Sequence, residues 1–410
     1  MDRFKRIIVE PFKTLKNKTF GKLFVSQTAS LFGDAFTWLG LALFSYELNP
    51  TRSAVILATA LTLRVTAYIV FSPFAGVVSE RFRRKDILWL TQGFRILVLV
   101  LIPFVNVEWQ LYLLIFLLNV ASAFFTPTYR AIIPQIVSKN DYRIANGFSM
   151  AIFQLLSVFG PAIAGVFAVW LGAKQLFLVS GVMLIIGIAI ILSIPSNELQ
   201  KGVTITKGNL REGWKSVIKG VNSLFSNKIL RFALSMEFVS AIAGALILVN
   251  TVALVKTSLS QNDTHYGLTM ALFGVGASIT AFLLGSLDKT KTRALSLISG
   301  ALLIGISISF ANFVSFNGLL FIWVIAGIGQ TLADLPSETL IGENIPADDQ
   351  AKVYGSHFAF SHLWWFIAYP FAGYLGTSFP EHSFLYGGIL TILLSILAVI
   401  IFRPWKMSAK

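Results

Sequence analysis

The chain has 410 residues, of which 55% are hydrophobic and only 13% charged, about half the charged fraction of a soluble domain. Its net charge of +14 would point to nucleic acid in a soluble protein. Here the cations flank long apolar runs, so membrane orientation and anionic lipid head groups account for them, and nucleic acid is not expected as a partner. The absence of cysteine excludes disulfides, thiolate metal sites and cysteine nucleophiles together.

Residues 1–19 carry charges throughout and have no short apolar core or small-residue cleavage site, so a cytoplasmic segment is expected, with the first span retained as an anchor. Twelve apolar runs follow, at roughly residues 20–47, 53–78, 86–106, 109–127, 144–171, 175–195, 229–255, 264–287, 294–312, 317–340, 353–378 and 383–402. Each is about 19 to 28 residues long, and a bilayer core needs about 20. Backbone groups in hydrocarbon must be bonded internally, so the runs read as helices. The expected fold class is an all-α membrane protein with twelve transmembrane helices. Two six-helix bundles, 20–195 and 229–402, are joined by a cytoplasmic linker at 196–228, with a cytoplasmic tail at 403–410.

The basic residues orient the chain. Twenty-seven of the 33 lie in alternate segments, starting with the N-terminus; Arg52, Lys174 and Lys256 lie in the others, and Lys22, Arg64 and Arg95 inside apolar runs. Positive residues stay cytoplasmic, so both termini are expected inside a cell (inner) membrane. Within the linker, Leu210, Trp214, Val217, Val221, Leu224 and Phe225 recur at helical spacing among Lys and Arg. That pattern reads as an amphipathic helix in the membrane interface, either a spacer or a lipid-sensing element.

The halves look like copies of one another. Residues 22–48 lie over 231–257 without a gap, and 145–165 over 354–373 with a late Pro followed by Ala-Gly in each. Duplicated membrane halves mark alternating-access transporters, with substrate held between the repeats.

The loop after the second run reads Gly76-Val-Val-Ser-Glu80-Arg81-Phe82-Arg83-Arg84-Lys85. It resembles the signature of the major facilitator superfamily: Gly, three residues, Asp, Arg, any residue, Gly, Arg, then Arg or Lys. Glu80 replaces the acid, and Arg83 departs from the usual glycine. The resemblance implies a cytoplasmic gate, a charge lock built on Gly76, Glu80, Arg81, Arg84 and Lys85; an ordinary basic loop is the alternative. Asp288 belongs to a degenerate second copy. Gly160-Pro161-Ala-Ile-Ala-Gly165 is similar to the superfamily's antiporter motif, which goes with export against protons. Pro161 bends a helix and the small residues permit close contact. Residues 124–149 look like the macrolide-efflux and enterobactin-exporter branch of the drug:proton antiporters, as do residues 31–48 and Arg95 in the third run, and Arg130 within that stretch is expected to belong to the cytoplasmic gate.

A charge at bilayer depth costs roughly 2.5–3.5 kcal/mol on insertion scales, so an intramembrane ion is a functional candidate by default. Asp34 and Arg64 both lie near mid-span in consecutive antiparallel helices, and a proton-responsive pair is expected of them; a static salt bridge is the alternative. Arg95 reads as a structural partner. The second half offers Glu237 as its better proton site. Asp334 and Glu338 share one helix face if the helix survives Pro336, as a proton relay or a gate. His357 and His362 read as packed core residues. Trp38, Trp364 and Trp365 would line a cavity suited to amphipathic or cationic compounds, or merely pack.

No phosphate loop or nucleophile elbow appears, so neither enzymatic activity nor ATP-driven transport is expected. Nor does any metal-ligand spacing or cofactor motif. The expected activity is proton-coupled export of a hydrophobic or amphipathic molecule by a monomer among membrane lipids. The alternatives are transport of an anion held by Arg64 and, remotely, a sensor or channel.

Overall fold

The computed structural model describes residues 17–200, 210–287 and 293–404. Among these, thirteen α-helices follow one another: α1 (Lys18–Leu48), α2 (Ser53–Arg81), α3 (Arg84–Leu101), α4 (Glu108–Ile136), α5 (Lys139–Leu171), α6 (Ala173–Leu192), α7 (Leu210–Ser226), α8 (Lys228–Ala253), α9 (Asp263–Leu287), α10 (Arg293–Ser309), α11 (Phe316–Asn344), α12 (Ala347–Ser378) and α13 (Ser383–Phe402). All but α7 coincide with an expected span. Nine are, among the described residues, long and apolar enough to cross a membrane. Their outward faces stay apolar: Leu97, Trp170, Phe282, Phe321 and Ile401 are each at least 60% exposed. In water such faces would be an aggregation hazard, whereas a lipid surround matches them.

Prolines do not end these helices. α4 runs through Pro127 and Pro134 to Ile136, whereas the expected run stopped at 127. α11 runs through Pro336 to Asn344, which meets the condition for Asp334 and Glu338 to share a face. Neighbouring helices and small local adjustments can absorb the lost backbone bonds.

The chain divides into two compact units. Among the described residues, one comprises those within 1–44 and 66–207 and the other those within 45–65 and 208–410, so the start of α2 groups with the second unit. In the first unit α3 packs between α4 and α6. Lys22 Nζ donates to the Ser193 carbonyl (3.0 Å), and Lys85 Nζ to those of Leu192 and Ile194 (2.8 and 2.6 Å). Two cations thus cover the orphan carbonyls at the end of α6, where the helix dipole favours positive charge.

In the second unit α8 is the central post, with 83% of its span buried and α10 to α13 packed around it. The Asn227 side chain accepts from the backbone N–H groups of Ile229 and Leu230, capping α8 and separating it from α7. α11 is clasped on two sides by glycines. A methyl built on Gly327 would lie 2.0 Å from the Phe273 carbonyl oxygen of α9, and one on Gly329 2.6 Å from the Ile304 nitrogen of α10. Two residues apart on a helix is about 200° around it, so these glycines press opposite flanks of α11 onto different neighbours. Residues 45–65 join the unit through similarly small contacts. A methyl on Gly373 would meet the Ala58 Cβ at 2.6 Å, and one on Gly376 the Ala54 Cβ at 2.7 Å. The Tyr46 hydroxyl lies 2.9 Å from that of Thr257.

Candidate functional site

In the first unit, the intramembrane polar group is built around Asp34, at the middle of the 31-residue α1. Its partner is Arg95 of α3, which donates Nη2 to Asp34 Oδ1. Arg95, expected as a structural partner, is the cation described beside Asp34; the depth of a charge along its own helix cannot say which group faces it. Arg95 also donates Nη1 to Gln92 Oε1 at 2.8 Å, and Gln92 Nε2 donates to the Ser30 hydroxyl. Ser30 and Asp34 are one turn apart on α1, as Gln92 and Arg95 are on α3, so two polar pairs zip the helices together. The side chain of Arg95 is 4% exposed and that of Asp34 29%. The carboxylate is therefore reachable, while its counter-charge is not.

α5 reaches the same place. A methyl on Gly160 would lie 2.5 Å from the Cβ of Ala35, next to Asp34 in the chain. The Gly-Pro motif is thus a close-contact point against the helix that carries the acid. Gly165 is buried and Pro161 half-buried. Trp38 is half-buried one turn beyond Asp34.

The second unit carries a larger group. Glu237 Oε1 of α8 lies 2.7 Å from His357 Nε2 of α12, and both residues are buried. His357 was expected to be an ordinary packed residue; the structure makes it the partner of the acid. On α11, Gln330 Nε2 donates to Asp334 Oδ2 at 2.5 Å and to the Ser240 hydroxyl of α8 at 2.6 Å. Ser240 is nearly one turn from Glu237, so both carboxylates sit along the same stretch of α8. Glu237 Oε2, Gln330 Oε1 and Trp364 Nε1 are buried without a hydrogen-bond partner among the described residues. Buried polar atoms normally find partners, and three orphans near one carboxylate pair mark a place that water, a proton or substrate can satisfy.

Aromatics close this group. Gly244 of α8 lets Trp365 approach, since a methyl there would meet its ring at 2.8 Å and Gln330 Oε1 at 2.7 Å. Trp365 packs against Tyr369 (5.2 Å between ring centres) and Trp364 against Phe238 (4.9 Å). Arg64, half-buried in the part of α2 that joins this unit, lies within electrostatic range of His362 and Tyr369 on α12.

The expected gate residues fare unevenly. Arg84 is buried and donates Nη1 to the Ala131 carbonyl of α4 (3.2 Å), and Lys85 closes the end of α6, so both tie α3 to its neighbours. Arg130 is exposed. Asp288, the surroundings of Gly76 and the side chains of Glu80, Arg81 and Glu338 lie outside the described residues. Sequence reasoning passed over Gln92, Ser30, Gln330 and Ser240. The signal available was spacing: Gln92 precedes Arg95 by three residues and Gln330 precedes Asp334 by four.

Comparison with known proteins agrees with this architecture. The sequence model of the Major Facilitator Superfamily matches residues 23–255 and 233–407. An MFS-type transporter of Bacillus subtilis is 25% identical over 82% of this chain and 81% of its own length. Macrolide efflux protein A of Streptococcus pyogenes is 24% identical over 98% of this chain and all of its own length. The lysophospholipid transporter LplT of Escherichia coli is 25% identical over 77% of this chain and 78% of itself. Among solved structures, a POT family transporter in complex with 5-aminolevulinic acid superposes with a TM-score of 0.73 at 13% identity, covering 95% of this chain and 97% of that one. A chain of helices with intramembrane ions, no enzyme motif and this match along almost its whole length belongs to the Major Facilitator Superfamily and is a multi-pass membrane transporter of small molecules.

Proposed function

We propose that the protein exports a hydrophobic or amphipathic small molecule across the cytoplasmic membrane in exchange for protons, by alternating access with both termini in the cytoplasm. The observation that carries this reading is the unequal exposure of the Asp34–Arg95 pair. A coupling acid must be reached by protons while its counter-charge is held, and Arg95 is held. When Asp34 takes a proton, the ion pair ends but Arg95 keeps Gln92 as an acceptor. Protonation then costs less than leaving an arginine bare in the membrane interior, so one proton can bias a two-state bundle. Glu237 with His357, and Asp334, form the second titratable group of the cycle. The full-length similarity to a macrolide efflux protein supports export and a bulky amphipathic substrate, and aromatic rings beside carboxylates suit such a compound, above all a cationic one. The seam of Ala54 and Ala58 against Gly373 and Gly376 is the contact that has to part as access alternates.

The test is uphill transport in proteoliposomes under an imposed pH gradient, where Asp34→Asn is expected to lose uphill movement. A second reading, transport of an anionic amphiphile held by Arg64, draws on the similarity to a lysophospholipid transporter and on the place of Arg64 beside α12. Arg64→Ala separates the two. It abolishes transport if an anion is carried, and only shifts its pH dependence if a neutral or cationic compound is.

A further inference from the structure

The side-chain amide of Gln330 is held by one end only. Its nitrogen spends both hydrogens, one on Asp334 Oδ2 at 2.5 Å and one on the Ser240 hydroxyl at 2.6 Å. Its oxygen is buried without a hydrogen-bond partner among the described residues. Oε1 rests over Gly244 and beside Trp365: a methyl on that glycine would meet Oε1 at 2.7 Å and the indole Cη2 at 2.8 Å. This orientation is the one an ionised Asp334 demands, because a carboxylate accepts and cannot donate. A protonated Asp334 reverses the demand. Its new O–H needs an acceptor, and the idle one is Oε1, half a turn of the amide away. The Ser240 hydroxyl fits either arrangement, since it rotates to accept or to donate.

Resting on the reading of Asp334 as a titrating group of the cycle, we propose that Gln330 is a positioning residue that swivels with the protonation of that acid. When a proton from water reaches Asp334, the amide turns over. Oε1 then accepts from the carboxyl and from Ser240, and Nε2 moves to the place beside Trp365. The indole meets an amide oxygen in one state and an N–H group, which an aromatic ring attracts, in the other. A proton taken up on α11 is thus felt at the aromatic residues of α12, and Gly244 presents no side chain to block the turn. The neighbouring charges are already engaged. Glu237 of α8 and His357 of α12 lie within electrostatic range of Asp334 and are 2.7 Å from one another. α9 is uncharged after His265, and α10 after Arg293, which pairs with Glu343, nine residues beyond Asp334. Arg64 of α2 stands within range of His362 and Tyr369, farther along α12 than His357.

The test is pH-difference infrared spectroscopy of the full-length protein in lipid vesicles, prepared with ordinary glutamine and with glutamine isotope-labelled at the side-chain carbonyl. Asp334→Asn identifies the carbonyl band of protonated Asp334, and the label identifies the glutamine amide bands. The expected result is a shared midpoint: one amide band shifts as the carboxyl band grows, and that shift is lost in Asp334→Asn. Native and Asp334→Asn spectra decide this even where Gln330→Met does not fold. In Gln330→Met the amide shift is also lost, while the proton affinity of Asp334 changes by less than about threefold, because the amide serves both protonation states. A donor fixed to the carboxylate predicts a rise of about tenfold or more once it is removed. A rise beyond about threefold, or a carboxyl band that titrates with no amide shift in the native protein, overturns the swivel and leaves Asp334 a titrating group. Absence of an Asp334 band at every pH removes the titrating group itself, and the swivel with it.

Discussion

Gly160 and Ala35 touch at a distance that admits no side chain on the glycine: an added methyl would sit 2.5 Å from the Ala35 Cβ. A shift of α1 at this contact carries Asp34, the residue before Ala35, with it. The Gly-Pro motif of α5 and the proposed coupling acid are therefore one mechanical unit.

A substitution pair reads that contact. Gly160→Ala is expected to destabilise the protein by about 1–3 kcal/mol, the usual range for overpacking, and to lower transport. Ala35→Gly added to it frees the space and should restore most of both. Thermal unfolding in detergent, followed by tryptophan fluorescence, measures the first effect. A double variant no better than Gly160→Ala would mean that the glycine serves something other than this contact.

The buried ion pair of the first unit makes a second prediction. Asp34→Leu leaves Arg95 with Gln92 alone in a site of 4% exposure, and removing one partner of a buried pair costs about 3–5 kcal/mol. The partial exposure of Asp34 puts the cost of Arg95→Met at the lower end or below. The double change Asp34→Leu/Arg95→Met should be far more stable than the sum of the two losses implies, as measured by unfolding midpoints. Strict additivity would show that the residues do not interact.

Much of the architecture was legible because its signals are local. The apolar runs fix their own lengths, and the cations beside them set the orientation expected of each loop. Asp34 and Glu237 stood out because any acid at that depth is costly. Their partners were harder to place: Arg95 reads as a structural partner from its depth, but only the packing of α1 on α3 shows which group it meets. His357 lies 120 positions from Glu237, and nothing near it in the chain announces the meeting. Gln92 and Gln330 were passed over because neutral polar residues in spans are common, and their role arises only once an ion lies a turn away. Pro127 misled in the opposite direction, because tertiary packing carried α4 through it and through Pro134; the condition left open at Pro336 resolves the same way.

The second unit offers a third prediction. His357→Ala leaves the Glu237 carboxylate buried without its imidazole, and a cost of about 3 kcal/mol is expected from the uncompensated group. Glu237→Gln in the same protein should recover stability by neutralising it. In the otherwise native protein, Glu237→Gln should move the pH optimum of transport while substrate still binds. Unfolding midpoints and transport profiles across pH report the two parts. An unchanged pH optimum in Glu237→Gln would remove this group from the proton cycle.

The most direct measurement of the central claim counts protons against substrate. Purified protein in sealed vesicles with an internal pH dye, given a pH gradient and a labelled amphipathic compound, should move the compound uphill with a matching proton flux in the opposite direction. Asp34→Asn should carry it only downhill, with no proton movement. Uphill transport by Asp34→Asn with its proton flux intact would contradict the account.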